Sequence, residues 1–340
     1  MEKNNKSIRI LMSVFLVLLS SCQSNEKYSD AECISFSDFG EVIYLKGDSV
    51  AFDDILLKPV KIHLVDSILI MKNRNTEYAY YIFNILTKKK IGERVSFRFI
   101  PSTDDNAWIF DKNRKILNIC DRQKFLKEEN LEINKTIEFE DFCDNIVFIP
   151  SKGFIASVFK LNNKRFGLFN LEGDTICYKG EYPTLSSLQT NIEQVEGFIN
   201  EFTANVEEDR VFVSYKRTDL IECYDTDMNL IKRIHGPEHF FPEVHQVGDR
   251  IRTNKGTERD AYSFPLSVGK KVFVLYSGKV FNPRNHDYLK DKILVFDWNG
   301  NPQQCYQLDI PIFDFAVDEK SRIIYGLTDK PESHIIQFKF

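Results

Sequence analysis

Ile293-Leu294-Val295-Phe296-Asp297-Trp298-Asn299-Gly300-Asn301 is an apolar run closed by an acidic residue and a Gly-containing turn. The same phrase recurs along the chain. It reads Tyr81-Ile82-Phe83-Asn84, then Leu117-Asn118-Ile119-Cys120-Asp121, then Gly167-Leu168-Phe169-Asn170 and Glu222-Cys223-Tyr224-Asp225. A sixth copy, Ile335-Ile336-Gln337-Phe338-Lys339-Phe340, ends the chain. Asn and Asp bond their own backbone in turns, and Gly tolerates positive φ, so each phrase reads as a strand followed by a reversal. A second apolar run precedes each copy: Ile68 to Met71, Trp108 to Phe110, Ile155 to Phe159, Val211 to Tyr215, Val272 to Tyr276 and Ile323 to Leu327. A further short strand precedes each of these, as in Ile62-His63-Leu64-Val65 and Phe313-Asp314-Phe315-Ala316-Val317.

Named A, B and C in order, with D after the turn, these strands form six units of four, the pattern of an all-β, six-bladed β-propeller of antiparallel blades. The anchors Asn84, Asp121, Asn170, Asp225 and Asp297 are 37, 49, 55 and 72 residues apart, so the blades are constant and the connections vary. The last unit stops at strand C. Glu41-Val42-Ile43-Tyr44-Leu45 precedes the first strand A without a unit of its own and is expected to supply the missing D strand, closing the ring and removing an exposed edge. Two packed β-domains or a sandwich account for the same strands less economically. Composition agrees: 340 residues carry 29 Phe and 14 Tyr, types that suit pleated surfaces, and 43% are hydrophobic. With 45 Lys+Arg against 50 Asp+Glu and no basic block, a nucleic-acid partner is not expected.

The N-terminus reads as an address. Lys3, Lys6 and Arg9 precede an apolar core running to Leu19, too short to span a bilayer, and Leu19-Ser20-Ser21-Cys22 follows. A leucine, two small residues and a cysteine resemble a bacterial lipobox. Residues 1–21 are therefore expected to be a lipoprotein signal peptide, with lipid attached at Cys22 and the membrane as one partner. Residues 22–38, polar and poor in apolar content, are expected to form a flexible tether, and residues 39–340 a single propeller domain. The expected location is the bacterial envelope, lipid-anchored at the outer membrane and facing the periplasm or the surface. Six cysteines remain beyond the lipobox (Cys33, Cys120, Cys143, Cys177, Cys223 and Cys305), none in a C-x-x-C pair, so spacing fixes no disulfide connectivity.

The phrase from Ile293 to Pro302, with Phe315-Ala316-Val317-Asp318-Glu319 and Ile324-Tyr325-Gly326, resembles the TolB-like six-bladed propeller lipoproteins of Bacteroidetes. Ala261-Tyr262-Ser263-Phe264, Leu275-Tyr276-Ser277-Gly278-Lys279 and Gly236-Pro237-Glu238 are similar too. The resemblance covers roughly residues 40–340 and implies a lipid-anchored, exported propeller. It implies no catalytic residues.

Long connections at 179–196, 236–260 and 277–291 should emerge on one face over neighbouring blades, because B-to-C and D-to-A connections share a side. Loops on a rigid scaffold concentrate function. The candidate binding face holds His235, His239, His245, Arg250, Arg252, Tyr276, Arg284, His286 and Tyr288. The spacing of His235 and His239 suits a metal only on a helix, which Pro237 and Pro242 oppose, so neither metal nor cofactor is expected. Arg250, Arg252, Lys255 and Arg259 form a basic cluster suited to a carboxylate, sulfate or anionic sugar. His63, Arg98 and Asp314 are candidates to line the central channel. There is no G-x-S-x-G elbow, H-E-x-x-H, P-loop or G-x-G-x-x-G. The sequence therefore points to a binding or scaffolding module for a protein, peptide or glycan of the envelope. The alternative is a glycan- or peptide-processing enzyme with its site at the channel mouth.

Overall fold

The computed structural model describes residues 28–52, 58–74, 80–94, 98–100, 105–127, 132–159, 163–248, 250–253, 256–281 and 288–340. The repeated runs form six blades of four antiparallel strands, and in two of them an N-terminal strand adds a fifth, parallel member to the sheet. In blade one, strands A to D are Pro59–Val65, Ile68–Asn73, Tyr80–Asn84 and Lys89–Arg94; in blade two, Arg98–Ile100, Asn106–Asp111, Ile116–Asp121 and Lys135–Glu138. Blade three has Cys143–Ile149, Gly153–Val158, Lys164–Phe169 and Thr175–Glu181; blade four has Asn200–Asn205, Arg210–Tyr215, Leu220–Tyr224 and Leu230–His235. Blade five has Tyr262–Val268, Lys271–Tyr276, Lys290–Asp297 and Pro302–Ile312. Blade six has Asp314–Asp318, Ile323–Thr328 and His334–Lys339, completed by Gly47–Val50. The A strands of blades three, four, five, six and one lie against one another in turn, which puts them around the axis.

Blade-to-blade packing explains why the apolar runs are continuous rather than alternating. Each sheet is covered on both faces, so Val272, Phe273, Val274, Leu275 and Tyr276 are all buried. Between blades four and five, Phe212, Ile221 and Ile234 meet Val272, Val274 and Phe296. The recurrent Asn or Asp closes the C-to-D reversal. Asp297 Oδ1 accepts the amides of Asn299 and Asn301, both at 2.9 Å, and Asp225 Oδ1 accepts those of Asp227 and Asn229 at 3.0 and 2.8 Å. Asn84 and Asn170 do the same. In blade two the anchor, Asp121, instead accepts the amide of Lys124 at 2.8 Å and starts the short helix Arg122–Lys127. Gly300 (φ +76°) has no room for a side chain, since a Cβ would sit 2.1 Å from Ile234 Cδ1.

The ring is closed by an N-terminal strand, but not by the stretch expected. Val42–Leu45 pairs in parallel with Cys305 to Leu308, outside blade five. The missing D strand is Gly47–Val50, antiparallel to Phe338 to Ile335. Gly47 permits this approach, because a Cβ there would lie 2.5 Å from Ile336 Cγ2 and 2.7 Å from Phe338 Cε1. Its amide is also held by Asp309 Oδ1 at 2.8 Å.

The expected tether over 22–38 is corrected for its second half. Ala31–Cys33 adds in parallel to strand D of blade four, Arg233 holds Asp30, and Phe39 is buried against Phe296 with ring centroids 5.2 Å apart. Isolated aromatics in a polar stretch find inter-blade gaps, so residues 28–38 belong to the propeller. Residues 1–27, with the signal peptide and Cys22, lie outside the described residues. The six described cysteines are unbridged.

Candidate functional site

The three long connections meet on one face, as their strand directions require. The first carries the helix Asn191–Gly197, capped by Thr190, whose Oγ1 accepts the Glu193 amide at 3.2 Å. Glu193 reciprocates, its Oε2 accepting the amides of Gln189 and Thr190, both at 2.9 Å. Its Oε1 accepts the amide of Gln246 at 2.8 Å, pinning the hairpin Val244–Val247/Arg250–Thr253 of the second connection to the helix. The Gln246 amide, with those of Thr190 and Gln189, outweighs burial and holds the Glu193 carboxyl below its ordinary range. Arg217, from the B-to-C connection of blade four, bridges Glu196 at 2.6 Å and Glu258. The third connection is tied in by Phe281, whose amide donates to Glu258 O at 2.7 Å, and by Gly278, whose amide donates to Asp260 O at 2.8 Å. Arg259 donates to Gly278 O at 2.6 Å, pairs with Glu238 and stacks over Phe240.

Asp219, fully buried, shapes the turn beneath. Its carboxylate accepts the amides of Glu238 (2.7 Å), His239 (2.8 Å) and Phe240 (3.0 Å) and faces His235 Nε2 at 3.1 Å. His235 is therefore buried, edge-on to Tyr28 with ring centroids 4.8 Å apart, and is withdrawn from the surface expected for it. Tyr276 is withdrawn as well, fully buried between Tyr262 and Phe36. His239 and His245 are exposed, and His245 stands opposite Arg252 on the hairpin, with Arg250 two residues away. Tyr288 is half-buried and donates to Asp329; burial and that carboxylate push its pKa up to about 12. Arg284, His286 and Lys255 lie outside the described residues. Arg259 is already engaged, so the described basic patch consists of Arg250 and Arg252.

At the end of the channel where these connections emerge lies a cavity of about 270 Å³. Lys61, His63 and Lys72 of blade one form one wall, and Asp144 and Asn145 of blade three with Glu201 of blade four form another. Asp314, 1% exposed on strand A of blade six, is seated behind Lys61 and accepts the Ile62 amide at 2.7 Å. Burial raises its pKa to about 7, and Lys61 and the amides of Ile62 and Phe315 offset this only in part. Of the three channel residues expected from sequence, His63 lines the cavity and Asp314 backs it. Arg98 begins strand A of blade two, and its side chain lies outside the described residues.

A family described as TolB-like 6-blade propeller-like matches residues 38–320. The chain belongs to the TolB-like six-bladed propeller family. No curated protein matches. Among solved structures, this TolB-like propeller is similar to a DUF4221 family member from Bacteroides vulgatus, with TM-score 0.56, 10% identity and coverage of 86% of this chain and 95% of that one. Raptor from Chaetomium thermophilum (TM-score 0.47, 9% identity, 86% and 28% covered) and hydrazine synthase from Kuenenia stuttgartiensis (0.46, 9%, 82% and 83%) are more distant. At these identities the likeness shows the fold.

The TolB-like propeller also holds a buried ionic knot between blades three and four that sequence reading missed. Glu222 Oε2 meets Arg165 at 2.9 Å and accepts from Tyr224 at 2.7 Å and from Tyr215; its Oε1 takes Arg233 at 2.7 Å. Burial opposes ionisation of Glu222, but Arg165 and Arg233 together overcome it and hold the carboxyl below its ordinary range. The signal was present: a glutamate in the apolar run Leu220-Ile221-Glu222-Cys223-Tyr224 requires a buried cation. Lys61, Glu201 and Asp219 carried no comparable local signal.

Proposed function

We propose that this TolB-like propeller is a lipid-anchored binding module of the bacterial envelope, presenting its loop-rich face to an envelope protein, peptide or glycan. The supporting observation is the convergence of the connections from blades three, four and five, cross-tied through Glu193, Arg217 and Arg259. This much fixed geometry in irregular backbone makes a preorganised surface, which lowers the ordering cost of binding. His245, Arg250 and Arg252 stand exposed on its hairpin and suit an anionic group on the partner.

The anchor position agrees with an envelope partner. Tyr28 is buried at the rim of this face, against Phe198, His235 and Phe241. The six residues from Cys22 to Tyr28, fully extended, reach at most about 21 Å. A lipid on Cys22 would thus hold the rim close to the bilayer at the outer membrane.

Charge reversal by Arg250→Glu with Arg252→Glu is expected to reduce recovery of the partner from crosslinked cells several-fold. Leu86→Glu, on the opposite end of blade one, should leave recovery unchanged. Equal recovery from both variants would overturn the assignment of the face. Cys22→Ser should abolish incorporation of a labelled acyl chain, and retained label would overturn the anchor.

A further inference from the structure

The cavity at the channel mouth is bordered by two opposite charges that share one neighbour. Phe264, on strand A of blade five, sits at a register shift with φ +56°, a conformation that costs a bulky side chain energy. Two charges from different blades hold it there. Glu201 Oε2 accepts the Phe264 amide at 2.6 Å, and Lys61 Nζ stands 4.6 Å from the centre of its ring. Both side chains line the cavity. They do not pair with each other, and Lys61 has no carboxylate at ion-pair distance among the described residues. The polar wall beside Glu201 is fixed: Asn145 Nδ2 donates to Asn200 O at 2.7 Å, and Ser157 Oγ donates to Asn200 Oδ1 at 2.8 Å.

A cation and an anion held apart across a small, half-open space can each take a counter-charge from a ligand, and partial shielding from water makes those contacts stronger than on an open surface. A simple anion would satisfy Lys61 and leave Glu201 facing it with like charge; a simple cation would do the reverse. A molecule with both charges satisfies both walls. The volume, about 270 Å³, lies below the range of roughly 300–1,000 Å³ that suits drug-sized ligands.

We propose that this cavity binds an α-amino-acid-type zwitterion, a free amino acid or a dipeptide, with its carboxylate on Lys61 and its ammonium on Glu201. Phe264, held by both charges, fixes their spacing from behind the lining, and Tyr80 is the aromatic that lines the cavity itself. The site is separate from the hairpin surface assigned to a larger partner, and either can fail without the other.

The test is isothermal titration of the detergent-solubilised full chain with L-alanine, L-leucine and L-alanyl-L-alanine. N-acetyl-L-alanine, lacking the ammonium, and L-alaninamide, lacking the carboxylate, serve as one-charge probes. At least one zwitterion should bind, and each one-charge probe should bind roughly tenfold or more weakly, the worth of one charged hydrogen bond. Lys61→Met should remove the discrimination against L-alaninamide, and Glu201→Gln that against N-acetyl-L-alanine. Gln still accepts the Phe264 amide, so this variant should keep the native melting temperature. No heat from any zwitterion at millimolar concentration would overturn the proposal. Equal affinity for zwitterions and one-charge probes, read on the native chain alone, would overturn it too.

Discussion

The knot between blades three and four and the cluster around Phe264 both bring charge inside the propeller, and they are built in opposite ways. In the knot, Glu222 is fully buried and surrounded by Arg165, Arg233, Tyr215 and Tyr224, with Arg233 passing outward to Asp30. In the axial cluster, Lys61 and Glu201 share a neighbour, Phe264, without meeting, and both border open space. A buried charge satisfied by protein partners belongs to the architecture, and removing one member leaves the others stranded. A charge left facing a cavity adds little to stability and remains available to a ligand. Pairing with an opposite charge inside the protein therefore separates structural charges from binding charges in this ring, where burial alone would not.

The largest effect should come from the knot. Glu222→Leu strands two arginines and should cost roughly 3–5 kcal/mol in urea unfolding; a loss below about 1 kcal/mol would show that the knot is not a closed unit. Asp314 comes next. Its folded pKa of about 7 lies above the value of 3.8 expected when unfolded, so the folded chain holds the proton more tightly between those values. Stability should fall as pH rises through that interval, by up to a few kcal/mol once Asp314 is ionised. Asp314→Asn keeps an acceptor for the Ile62 amide and should remove that dependence, gaining on the native chain from pH 5 to pH 8. A constant difference across this range would mean that the buried carboxyl is ionised throughout. The smallest effect belongs to the cavity: Lys61→Met should cost no more than about 1 kcal/mol, the worth of its single cation–π contact with Phe264. A loss comparable to that of Glu222→Leu would erase the distinction between the two clusters.

Blades were legible because their signals are local. The apolar runs, and the Asn or Asp whose side chain closes each reversal, lie within a few residues of one another, as at Asp225 and Asp297. Closure was legible in kind but not in place. Val42–Leu45 and Gly47–Val50 are neighbouring short strands, and the choice between them rests on how Gly47 meets Ile336 and Phe338 at the other end of the chain. Residues 28–38 looked like a tether because Tyr28, Phe36 and Phe39 are scattered among polar residues, and only the assembled ring supplies their gaps. At the candidate face, strand direction alone predicted that the long connections converge. It gave no hint that Asp219 would draw His235 inward while leaving His239 and His245 exposed. The axial cluster was beyond reach from sequence, since Lys61, Glu201 and Phe264 come from three blades and meet only at the axis.

That the loop-rich face is where the partner binds can be tested most directly by placing a photo-crosslinking residue at Arg252 or at Leu86 and irradiating intact cells. A discrete crosslinked species is expected from position 252 and none from position 86. Crosslinking from position 86 alone, or equally from both, would contradict it.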